Sequence, residues 1–144
     1  MANVIPDSFK TDLLKGTFNF DSSGGSTFKL ALYTDISGLT TSTPAFTTTN
    51  EVSTSGTNYT SGGNTLTNSG VSVASNIAFV DFADLTFSSV TLSAVGALIY
   101  KSGGSNEAVL VLDFGGTKTA TNGDFVVQFP TASSSAAIIR LGNA

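Results

Sequence analysis

The run VGALIYKSGGSNEAVLVLDF, residues 95–114, decides the fold class. Two apolar segments flank SGGSN at 102–106, a glycine-rich turn signal. The second segment, EAVLVLDF, is nearly all apolar, the pattern of a strand buried on both faces. Two apolar runs joined by a short turn pair antiparallel.

Working outward, other segments repeat with a period of two. STFKLALY places Phe28, Leu30 and Leu32 on one face. NIAFVDF sets Ala78, Val80 and Phe82 against Ile77, Phe79 and Asp81. TFSSVTL precedes VGALIYK, DFVVQF alternates Phe125, Val127 and Phe129 against Val126 and Gln128, and AIIRL closes the chain. GG at 115–116, NG at 122–123 and Pro130 read as further turns. The expected fold is one all-β domain over 1–144, an antiparallel, jelly-roll-like β-sandwich. Residues 1–16 stand apart: IPDSFKTDLLKG reads as a short helix capped by Asp7 or Ser8 and ended by Gly16. Phe9, Leu13 and Leu14 are expected on one face.

Residues 34–70 break the pattern. Within them NEVSTSGTNYTSGGNTLTNSGVSV, beginning at Asn50, has a single charge, Glu51. A structureless segment this long is uncommon in a compact domain. TTTNEV and GGNTLT each suit an edge strand. One expectation is a hydroxyl-rich ribbon on the parent sheet. The other is an extended arm that becomes ordered on a partner, with Phe46, Val52, Tyr59 and Leu66 as its anchors beside Phe9, Leu13 and Leu14 of the helix.

Composition narrows the chemistry. The chain has no Cys, His or Trp, so it has no disulfide, no thiol nucleophile and no Ser-His-Asp triad. Six bases, Lys10, Lys15, Lys29, Lys101, Lys118 and Arg140, are scattered through a chain of net charge −4, so nucleic acid is not an expected partner. Charged residues are only 11%, against about 25% in an average domain. Surface polarity therefore rests on 21 Thr and 20 Ser. Pro6, Asp7, Lys10 and Asp12 interrupt any signal-peptide core, and Ala94–Tyr100 is too short to span a bilayer. The expectation is a protein made in the cytoplasm without a membrane anchor.

Asp81, Asp84, Asp113 and Asp124 are the acids near the core strands. A carboxylate pair suits glycoside hydrolysis, and oxygen ligands suit calcium, but turn acceptors and strand-end charges are the simpler reading. No D-x-D-x-D-G loop, G-x-S-x-G elbow or P-loop accompanies them. No catalytic, cofactor or metal residue is expected. Asn58-Tyr59-Thr60 fits a glycosylation pattern by chance, and Tyr33, Tyr59 and Tyr100 read as packing residues before sugar-stacking ones.

Several segments together, IPDSFKTDLLKG, FKLALYT, TTTNEVSTSGTNYTSGGNTLT, GALIYKS and AVLVLDFGGTKTATNGDFVVQFP, resemble a family of small virion-associated structural proteins of tailed bacteriophages. The resemblance covers about residues 3–131, and its most specific part is N-E-V followed by G-x-x-Y-T-x-G-G, Asn50 to Gly63. It implies a particle component and names no catalytic residue; a non-enzymatic decoration or cement protein on the capsid surface is the first expectation. Such a decoration or cement protein would bind the major capsid protein and itself, as a homotrimer. A glycan- or receptor-binding module of a tail or head appendage is the alternative.

Overall fold

The computed structural model describes residues 2–143. Its elements are α1 (Asp7–Leu14), β1 (Phe28–Tyr33), β2 (Asn64–Thr65), β3 (Asn68–Ala74), β4 (Ile77–Phe82), β5 (Leu85–Lys101), β6 (Ala108–Val127) and β7 (Ile139–Leu141). Two antiparallel sheets form, one in the order β2-β1-β5-β6 and the other β3-β4-β7. The all-β, sandwich-like fold is as the periodicity predicts.

The alternating residues divide between two cores. Phe28, Leu30 and Leu32 of β1, with Ala97 and Ile99 of β5 and Leu110 and Leu112 of β6, face a large core closed by Val80 and Phe82 of β4. Phe9, Phe18 and Phe20 join it, and the Phe20 ring stacks on Phe28 with centroids 4.6 Å apart. Ala31, Tyr33, Leu98, Tyr100 and Val111 point the other way, into a second core roofed by Ile36, Leu39 and Phe46. Where β1, the end of β5 and the start of β6 meet, the sheet is thus buried on both faces, which is why EAVLVLDF carries almost no polar residue.

Four sequence readings change. TFSSVTL and VGALIYK are one strand, β5, not two. GG 115–116 and NG 122–123 do not end strands. They are bulges within β6, where register shifts accommodate extra residues opposite Val95 and Thr91. β3 was hidden in the hydroxyl-rich run, because Asn68, Ser69, Gly70 and Ser72 mask its two valines. The helix is capped by neither Asp7 nor Ser8. Pro6 holds the N-cap position with extended backbone, and the Asp7 amide donates to Thr41 O at 2.8 Å. Gly16 does follow the helix end with φ +78°, as expected of a left-handed terminator.

The 34–70 segment is largely cover for the parent sheet. Its irregular backbone lies against apolar side chains, so its polar groups need partners. The hydroxyls and two carboxylates, Asp35 and Glu51, supply many of them. Ser37 N–H donates to Asp35 Oδ1 at 2.8 Å, Thr40 N–H to Thr43 Oγ1 at 2.8 Å, and Thr49 N–H to Thr47 Oγ1 at 3.2 Å. GGNTLT does contribute the short edge strand β2, whereas TTTNEV makes only an isolated bridge from Glu51 to Tyr33.

Candidate functional site

Three places in the molecule gather distinctive chemistry: the Asn50–Gly63 motif, a trough along β6, and an apolar face on the smaller sheet. The motif is a clasp. Asn50 takes φ +63°, turning the chain so that Thr34 N–H reaches Asn50 O and Val52 N–H reaches Leu32 O, both at 2.9 Å. Glu51 then points back over the segment that follows it. Its Oε1 accepts the Tyr59 hydroxyl at 2.8 Å and the Gly62 amide at 2.6 Å, and its Oε2 accepts the Ser61 hydroxyl at 2.7 Å. The Tyr59 Oη also accepts the buried Leu32 amide at 3.0 Å. Tyr100 closes the other side by donating to Gly62 O at 2.8 Å.

Glycine is required here. Gly63 has φ +72°, and an added Cβ would run into the Leu30 carbonyl oxygen. Burial pushes the Tyr33, Tyr59 and Tyr100 phenols above the usual tyrosine range, and the Glu51 carboxylate adds to the effect. The phenols stay neutral donors, and the motif pins a loop onto β1.

This locates the expected partner anchors. Phe9, Val52, Tyr59 and Leu66 are buried in the protein's own core. Phe46 is half-buried, its ring stacked on Tyr100 at 4.6 Å. As arm anchors these residues are corrected: their apolar surface is used within the chain. Leu13 is half-buried against the core, whereas Leu14 is 86% exposed, so the helix does not present the two leucines on one face. Of the expected anchors, Leu14 alone is wholly free.

The acids are dispersed. Asp81, 3% exposed, accepts the Phe82 amide on Oδ1, while Oδ2 has no hydrogen-bond partner among the described residues. Burial pushes its carboxyl above the usual range, against the pull of the Phe82 and Ile138 backbone and with a smaller push from Asp84. Asp84 Oδ1 accepts the Phe129 amide at 2.8 Å, and Asp124 Oδ1 the Ser89 amide at 3.3 Å. Asp113 Oδ1 accepts the Gly115 amide at 2.8 Å, which holds its carboxyl below the usual range. Each carboxylate receives a turn, bulge or strand-end amide. Among the described residues no group of three or more His, Cys, Asp or Glu gathers to hold a metal. The Asn58 amide donates to Ser89 O at 3.2 Å.

The trough, of about 780 Å³, follows the second half of β6 and the 130–138 segment. Phe114, Val126 and Phe129 supply its apolar surface, and Lys118, Asp124 and Gln128 its polar groups. β6 is the last strand of its sheet. Beyond the Ala108 amide on Pro44 O, the Val4–Val111 bridge and the Asn3 side chain on the Asp113 amide, its outer edge pairs with no described strand. Sequence reasoning missed this place, because the one long strand along it read as separate strands divided by turns.

The chain matches no protein-family model, no curated protein and no solved structure.

Proposed function

We propose that this protein is a non-enzymatic structural subunit of a phage virion, a decoration or cement protein on the capsid surface. It binds the major capsid protein and copies of itself. The observation that carries this reading is the trough beside the open edge of β6. An unpaired strand edge receives an extended partner segment through main-chain hydrogen bonds, and a mixed apolar and polar trough receives that segment's side chains. The resemblance carried by Asn50–Gly63 supplies the particle. The clasp contributes a rigid platform rather than a contact.

The test is rebinding to capsids stripped of this protein, with its copy number in intact virions. Hundreds of copies per particle are expected. Val126→Lys, on a half-exposed trough residue, should abolish rebinding while leaving the melting temperature unchanged. A dozen copies or fewer, or full rebinding by the variant, would overturn the reading.

The same trough supports a second reading, a glycan-binding module of a tail or head appendage. Asp124, Gln128 and Asn3 lie there beside Phe129, the mixture of planar polar groups and an aromatic ring that sugars use. Saturable binding to a glycan array, lost in Gln128→Ala, would favour it over the capsid role.

A further inference from the structure

We infer that the protein pairs with a second copy of itself through the outer edge of β3, extending the three-stranded sheet across a two-fold axis. The inference rests on the assembly role proposed above and names its self-contact.

β3 begins covered. The Asn68 side chain donates to Asp21 O and Ser26 O, and Gly70 lies beside Ser22. From Val71 to Ala74 the strand pairs with β4 on one side and with no described strand on the other. Natural sheet edges are usually blunted by a charge, a proline, a bulge or an added covering element, and in β3 the bulge lies before Val71. Val71-Ser72-Val73-Ala74 has neither charge nor proline.

The face beside this edge is apolar and unfinished. Register pairs Val71 with Val80 and Ile139 in one row, and Val73 with Ala78 and Leu141 in the next, so all six share a face. Val80 and Ile139 pack on the core, but Val71, Val73 and Leu141 are 55%, 72% and 61% exposed. Between them and α1 lies an apolar groove of about 290 Å³ whose lining holds no charged residue.

Charge and symmetry choose a second copy as the occupant. Two chains of net charge −4 repel, and this uncharged face lets them meet without opposing like charges. An antiparallel pairing of one strand with its own copy is self-complementary: the same residues serve both sides, and valine meets valine. Such a contact closes at two copies, which gives a dimer in place of the trimer that the resemblance implies.

The test uses the absence of cysteine from the chain. Single cysteines placed in turn at Val71, Ser72, Val73 and Ala74 are oxidised in purified protein, with Val126→Cys as a control on the trough. At least one β3 position should yield a disulfide-linked dimer, and the control should not. Sedimentation of the parent at tens of micromolar should show a dimer, and Val73→Lys should raise its dissociation constant on the order of tenfold or more, with no change in melting temperature at dilutions where both are monomeric. A monomeric parent, a dimer untouched by Val73→Lys, or no cross-link from any β3 position would overturn the inference. A β3-linked dimer absent from virions would count against the capsid role alone. A chain abundant in virions yet monomeric in solution, and uncross-linked there, would sink the pairing and leave that role standing.

Discussion

The Tyr59 hydroxyl donates to Glu51 Oε1 at 2.8 Å while it accepts the Leu32 amide, so one side chain ties a surface loop to a buried strand. Removing it leaves a buried N–H without a partner. Tyr59→Phe is therefore expected to lower stability by about 1–3 kcal/mol, read from urea unfolding midpoints. Glu51→Gln should cost less, since an amide oxygen in the Oε1 place still accepts Tyr59 and Gly62. Equal stability in Tyr59→Phe and the parent would show that water replaces the clasp.

Leu66 and Leu14 separate core from surface. Leu66 is buried in the large core, its amide donating to Phe28 O at 2.8 Å. Leu66→Ala should destabilise by about 2–5 kcal/mol, and Leu14→Ala by less than about 0.5 kcal/mol. Thermal melts of the two variants side by side decide it. A large loss from Leu14→Ala would mean that the helix face is misassigned.

Gly63→Ala meets the Leu30 carbonyl and a left-handed backbone together. The expected result is a loss of several kcal/mol or failure to fold. Gly103→Ala, with positive φ but open space around it, should cost only about 1 kcal/mol and serves as the comparison. Similar losses at both positions would show that the Leu30 contact adds nothing to the backbone strain.

Asp81 sets a pH dependence of known sign. Its folded pKa is raised by burial, so the folded chain binds the proton more readily than the unfolded one. Its contribution to stability grows as pH falls from neutrality through the raised value, and is complete below the ordinary Asp value of about 3.9. Asp35 and Asp113, both lowered by backbone amides, act in the opposite direction. The readout is therefore a difference: on acidification the parent should gain stability relative to Asp81→Asn. Parallel stability curves would sink the assignment.

The tyrosines define the alkaline limit. All three phenols are raised by burial, so the folded state excludes phenolate, and stability falls as pH rises above the unfolded value of about 10. Ultraviolet titration of the folded chain should show phenolate appearing only at higher pH than in the unfolded chain. A tyrosine that titrates reversibly near pH 10 in the folded protein would contradict its burial.

What the sequence by itself determined is the part of the fold written in local period. Alternation at 28–33 and 77–82, and the apolar run at 107–114, marks strands, because a side chain's face in a strand depends on its own backbone and its nearest neighbours. The tertiary structure decided three things that no local pattern holds. Gly115, Gly116 and Asn122 take positive φ, which a turn and a bulge demand equally. Only the continuing partner strand β5 makes them bulges. The hydroxyl-rich segment looks like a free arm until the second apolar face of the central sheet is seen to need a cover, which residues 36, 39 and 46 provide. Val71 and Val73 read as minor members of that segment, yet they end at an open sheet edge. Exposure belongs to where a strand stops being covered, and that is set by residues distant in the chain.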